Sequence, residues 1–314
     1  MSDTSAPPTS ARTAVLFLTF NRPDTTMEVF AAIRQARPPR LYIASDGARA
    51  ERAGEAALVS GLREAMLAKV DWPCEVRTLF RDANLGCRSA VSGAISWFFT
   101  HEERGIILED DCLPSPSFFP FCEGLLERYA TDTTVAGITG DYRPQKSEYG
   151  PDTYGRVGYP LIWGWASWRR VWDAYDANIA AWNGEPEDYP RMADRPKATR
   201  QYLKLVFDAV QDGKLDTWDF QFNFQCQLHQ QDFLHPHVNL ITNIGFTDGA
   251  THTSDPNDPN AALPREEVLL PLRKAVDGRE YDAWLDKKVF AVSSIRTKAM
   301  NRIYRWYLRR RSVT

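Results

Sequence analysis

Gly105-Ile106-Ile107-Leu108-Glu109-Asp110-Asp111 decides the fold: an unbroken apolar run, of the kind that fills a strand covered on both faces, passes straight into three consecutive carboxylates. Toward the N-terminus the same kind of run recurs in Ala14-Val15-Leu16-Phe17-Leu18-Thr19-Phe20 and is broken by Asn21-Arg22-Pro23-Asp24. Asp24 is a helix-capping candidate, and Met27, Phe30, Ala31 and Ile33 carry a helical period that ends before Pro38-Pro39. Leu41 to Ala44 read as a second strand closed by Ser45-Asp46-Gly47. Ala57, Leu58, Leu62, Ala65 and Met66 mark a second helix, followed by a strand from Cys74 to Phe80 and a helix from about Cys87 to Phe99. Four strands alternating with three helices predict an α/β fold: a Rossmann-like, mostly parallel sheet flanked by helices. Ligands of such sheets bind beyond the carboxyl ends of strands. Asn21, Asp46 and Glu109 to Asp111 stand at such ends, so one cleft rim is expected to hold them all.

Composition narrows the function. A chain of 314 residues that is 43% apolar can bury a sizeable core. Its net charge of -3 excludes a chain that coats nucleic acid. Cysteines 74, 87, 112, 122 and 226 form no CxxC pair and leave one over, which fits reduced thiols in the cytoplasm. No apolar run approaches the roughly 20 residues that span a bilayer, and the polar N-terminus has no signal-peptide core. Residues 1–12 read as a loose tail.

Carboxylates crowded at the end of a buried strand repel one another, so the triplet persists cheaply only where a cation or strong donors compensate. One or two carboxylates completed by substrate phosphate oxygens suit Mg2+ or Mn2+ better than an all-protein zinc cage. The plain alternative is a solvated acidic turn before Pro114; the position after a buried strand favours a functional role.

The order of Leu16 to Arg22, Ile43 to Gly47, Asn84-Leu85-Gly86, Ile107 to Asp111, Ser117-Phe118-Phe119 and Trp163-Gly164-Trp165 resembles the GT-A nucleotide-sugar transferases. The closest group looks like that of N-acetylglucosaminyltransferase I and its bacterial glycosyltransferase-like relatives. The resemblance covers about residues 13 to 255 and implies a single GT-A domain, with 256–314 as a C-terminal helical extension. It implies that Asp111 ligates the metal, that Glu109 and Asp110 contact the donor's sugar and ribose, and that Asp46 hydrogen-bonds the nucleobase of a UDP- or dTDP-linked donor. Arg22 and Arg88 would flank the nucleobase or diphosphate, with Asn21 of the same strand-end rim counted among the donor-binding residues. Asp46 in a Ser-Asp-Gly turn could equally support backbone only, and either arginine could be a surface charge.

Tyr159 to Trp168 pack three tryptophans around Gly164. They suit a core, and Trp163, Gly164 and Trp165 equally suit the aromatic wall of an acceptor pocket. In the family an Asp following Trp serves as general base, which points to Asp219 after Trp218; Asp216 remains an alternative, and either could be a helix cap. Asn239 to Phe246 read as a strand entering a loop in which His252 is similar in position to a metal-ligating loop histidine of other GT-A enzymes. His229, His235 and His237 lack a metal spacing and read as structural.

From Lys287 to Arg311 the chain has no acidic residue, and Ile295, Ala299, Ile303, Trp306 and Tyr307 can share one helical face. That suits an amphipathic helix on the inner face of an anionic membrane, or a helix docked on the domain with a solvated basic edge. The expected activity is an inverting, metal-dependent transfer of sugar to a glycan or glycolipid. Two alternatives stay open: a nucleotidyltransferase on a similar sheet, and a non-catalytic carbohydrate-binding protein. Leu18 to Pro23 lack the phosphate-loop glycines that the former normally carries after its first strand.

Overall fold

The apolar run after Thr13 forms β1 (Val15–Thr19), buried along its whole length. In the computed structural model, residues 11–144, 147, 149–246, 263–276 and 279–290 are described. After β1 come α1 (Pro23–Ala36), β2 (Arg40–Ser45), α2 (Glu55–Ala68), β3 (Glu75–Phe80), α3 (Gly86–His101) and β4 (Arg104–Glu109). This is the alternation the sequence predicts. One detail differs: Pro23 takes the first helical position of α1, so Asp24 lies inside the first turn and Arg22 stands at the cap without a side-chain cap bond. A proline with preset φ and no N–H fits that position, and the Asp24 charge meets the positive helix end.

The chain continues through β5 (Cys112–Pro114), α4 (Phe118–Arg128), β6 (Val135–Thr139), β7 (Thr153–Val157) and β8 (Trp165–Trp168). There follow α5 (Arg169–Trp172), α6 (Pro190–Ala193), α7 (Lys197–Gln211), α8 (Asp219–Leu228), β9 (Asp232–Pro236), β10 (Ile241–Asn243), β11 (Lys274–Val276) and α9 (Glu280–Leu285). Among the described residues nine strands make one sheet in the order β11-β7-β9-β6-β8-β4-β1-β2-β3, and β10 pairs with β5 beside it. β1 runs parallel to β2 and β4, and β2 to β3. β8 is antiparallel to both β4 and β6, so β6 and its parallel neighbour β9 share the direction of β4. The sheet is therefore mostly parallel and Rossmann-like, with β7, β8 and β11 reversed.

Right-handed crossovers explain the layers. The step from β1 through β2 to β3 puts α1 and α2 on one face, and the return from β3 to β4 puts α3 on the other. The core is continuous through both halves: Phe98 of α3, Phe118 and Phe121 of α4, Trp165 of β8 and Phe222 of α8 are all buried. Among the described residues no helix is long and apolar enough to cross a membrane. The predicted C-terminal helix lies outside the described residues from Ala291 onward.

Candidate active site

A cavity of about 630 Å3 runs across the carboxyl ends of β2, β1 and β4 and reaches the segment that leads into β8. Because β8 is antiparallel and pairs Trp165 with Ile107, residues 159–164 project past the same sheet edge as Glu109. Asn21, Arg22, Asp46, Glu109, Asp110 and Asp111 all line this space, as does Asp219. The rim expected from strand ends is thus one continuous wall.

The triplet is compensated from within the chain. Arg22 donates from Nη1 to Asp111 Oδ2 at 3.0 Å and from Nη2 to Asp110 Oδ1. Burial works against the Arg22 charge, but Asp110 and Asp111 outweigh it and hold the guanidinium more firmly protonated. Burial, then repulsion from Asp111 and Asp110, pushes the Glu109 carboxyl up to about 8, with Asp219 adding to the shift. Burial also raises Asp110, to about 6, against the pull of Arg22. These are carboxylates held against their own repulsion, which is the environment that a cation relieves.

Among the described residues no three His, Cys, Asp or Glu side chains group to hold a metal on their own. The donor set fits a hard divalent cation that takes one or two carboxylates and fills its shell with substrate oxygens. His252 lies outside the described residues.

The other predicted residues divide. Asn21 faces the cavity with its amide held by Glu55 Oε1 at 2.8 Å. Asp46 accepts from the Gly47 N–H at 2.9 Å, the Leu85 N–H at 3.0 Å and Asn84 Nδ2 at 2.9 Å. It therefore supports backbone, as the turn reading has it, while still lining the cavity; burial pushes its carboxyl up. Arg88 is turned elsewhere: its Nη2 donates to Ala177 O and to Asn178 Oδ1 at 2.9 Å, so the guanidinium serves that turn instead of the cavity.

Trp163 lines the cavity, half-buried, with the Arg143 guanidinium 4.3 Å from its ring centroid. Trp165 does not: it is wholly buried among Trp218 and Phe222, and belongs to the core. Gly164 turns the chain between them at φ 59° and packs on Ile241. Residues two apart in a strand would share a face; Trp163 lies before β8 begins, and the left-handed turn at Gly164 aims it away from Trp165.

Asp216 and Asp219 also separate. Asp216 caps α3 from outside, accepting from the Cys87 and Arg88 N–H groups at 3.0 Å each. Asp219 opens α8, takes a hydrogen bond from Thr217 Oγ1, and lies near enough to Glu109 and Tyr202 to raise both. Of the two, Asp219 is the one whose carboxylate is not committed to a helix end.

Sequence reasoning missed three cavity cations: Arg49, which pairs with Glu55, and also Arg143 and Arg81. Arg143 grips the buried Asp141 at 2.7 and 2.9 Å and lies against Trp163. It follows β6, so the strand-end rule applied to Glu109 could have found it. Arg81, just past β3, lines the cavity and is near enough to Asp46 to oppose the upward effect of burial on that carboxyl, without forming a salt bridge among the described residues.

No protein-family model and no curated protein matches the chain. Among solved structures, UDP-glucose pyrophosphorylase complexed with UDP-glucose aligns at a TM-score of 0.31 and 9% identity, over 72% of this chain and 90% of that one. A likeness of that size assigns no activity to the chain.

Proposed function

We propose that the protein is an inverting, divalent-metal-dependent glycosyltransferase that moves a sugar from a nucleotide-diphosphate donor to an acceptor hydroxyl. The observation that carries this reading is an acidic triplet held against its own repulsion and a carboxylate not committed to a helix end, Asp219, in the walls of one cavity. Asp219 takes the proton of the acceptor hydroxyl as that oxygen attacks the anomeric carbon, and the bond from that carbon to the diphosphate breaks on the opposite side. Asp111 would hold Mn2+ or Mg2+, which when bound offsets the charge on the departing diphosphate. Glu109 and Asp110 orient the donor's sugar and ribose, and Trp163 offers a face to the acceptor.

Nucleotidyl transfer on a similar sheet is the competing chemistry. Here β1 passes into α1 through Phe20-Asn21-Arg22 with no glycine, so the chain offers no backbone cradle for a triphosphate at that turn. The two reactions differ in product. With Mn2+ and a panel of UDP- and dTDP-sugars, nucleoside diphosphate release is expected, whereas pyrophosphate release from a nucleoside triphosphate and a sugar 1-phosphate would overturn the reading. Asp111→Ala should fold yet lose metal-linked donor binding, and Asp219→Ala should bind donor normally with turnover lowered at least about a hundredfold. Normal turnover by both variants would remove this mechanism.

A further inference from the structure

The cavity also has an apolar lining. Tyr159, Leu161, Leu285 and Phe290 contribute to it from buried positions and Ile162 and Phe220 from half-buried ones, without a charge among them. Phe290 lies against Tyr159 and Tyr202 with ring centroids 4.5 and 5.5 Å apart; burial pushes the Tyr202 hydroxyl up to about 12, and Asp219 is near enough to add to the shift. Phe220 follows Asp219 directly on α8. The carboxylate proposed as base thus stands where the acidic part of the cavity meets an apolar part.

A bare sugar has hydroxyls on every edge and would leave this wall unmatched, since apolar surface gains only by meeting apolar surface, at about 25 cal/mol per Å2. Two of the six residues, Leu285 and Phe290, come from the end of the described chain. The sequence that follows at once, from Ala291 to Thr314, has seven Lys or Arg and no Asp or Glu, together with Ile295, Ile303, Trp306 and Tyr307. That composition is attracted to an anionic lipid surface.

We infer that the acceptor hydroxyl is carried on a membrane lipid, whose alkyl or polyprenyl part lies on the Leu161, Ile162, Phe220 and Phe290 wall while its polar head meets Asp219. The inference rests on the glycosyl-transfer reading and names the acceptor class for it. The test uses the full chain without donor or metal and follows tryptophan fluorescence on adding n-octyl, phenyl or methyl β-D-glucoside, the first kept below its micelle concentration. The octyl glycoside should bind at least about tenfold more tightly than the methyl one. Ile162→Asn and Phe220→Asn, at half-buried positions that tolerate a polar group, should each remove about tenfold of that affinity.

Equal binding of octyl and methyl glycosides would overturn the inference, as would octyl binding that neither variant weakens. Tight binding of the phenyl but not the octyl compound would replace the lipid with an aromatic carrier and overturn it too. Mn2+-dependent UDP binding, measured separately on the unaltered protein, distinguishes the two levels. Its absence beside tight octyl binding would sink the transfer reading and leave the apolar wall standing.

Discussion

At the scale of single residues, the position of Asp111 depends on a glycine far along the chain. A Cβ on Gly245 would stand 2.2 Å from Asp111 Oδ2, and the adjoining Ile244 N–H donates to Asp111 O at 2.8 Å. Gly245→Ala therefore displaces the Asp111 carboxylate, whose Cβ and Cγ would also lie 2.8 Å from the new methyl, and disturbs its pair with Arg22. Mn2+-dependent UDP binding should weaken by about tenfold or more while the melting temperature stays within a few degrees of the parent. Gly164→Ala is the contrasting case, with φ 59° and a Cβ that would stand 2.4 Å from Ile241 Cδ1 in a packed region. Urea titration should show a loss of about 1–3 kcal/mol. Asp111 was legible in sequence because it ends an apolar strand. Gly245 was not, because the pairing of β10 with β5 that brings it there is a long-range fact with no local pattern.

Among elements, the first four strands and three helices were legible because period and length decide them locally. The strands of the second half were less so: β6, β7 and β9 owe their order to pairings over long separations, and β8 reverses in the middle of the sheet. The same limit hid the role of Asp216, which the family resemblance left open as a base and the residues left open as a helix cap. It caps α3 instead, at a helix start where Leu85 makes no side-chain cap bond and two N–H groups would otherwise lack a partner. Asp216→Ala should cost about 1 kcal/mol in denaturant unfolding, and Asp216→Asn, which keeps an acceptor, should recover much of it. If Asp216 were instead the base, the Asn variant would fold as well as the parent and fail to turn over. The comparison thus also tests the choice of Asp219.

For the whole molecule, the second half of the sheet is tied to α9 through a buried histidine. His235 of β9 stacks on Tyr142, beyond β6, at 5.4 Å and 7° between planes, and meets Tyr281 of α9 edge-on at 5.0 Å. Its Nδ1 lies 2.9 Å from Pro236 O, and the His237 ring meets it edge-on at 5.0 Å. Burial drives His235 down to about 3 and His237 to about 4, from 6.5. Both rings are therefore neutral in the folded protein where the unfolded chain would bind protons. The unfolded state gains protons as pH falls below about 6.5, so the stability these rings contribute is complete above that value and is lost as pH drops toward their folded values. Unfolding free energy, measured by urea titration from pH 7 to pH 4.5, should fall more steeply for the parent than for His235→Phe, which keeps an aromatic ring and cannot ionise. At pH 7 the variant should be slightly the less stable, by about 1 kcal/mol for the unpaired Pro236 carbonyl, and the two curves should converge or cross on acidification. Parallel curves would mean that His235 does not remain neutral in the fold, and that the junction between β6, β9 and α9 is open to water.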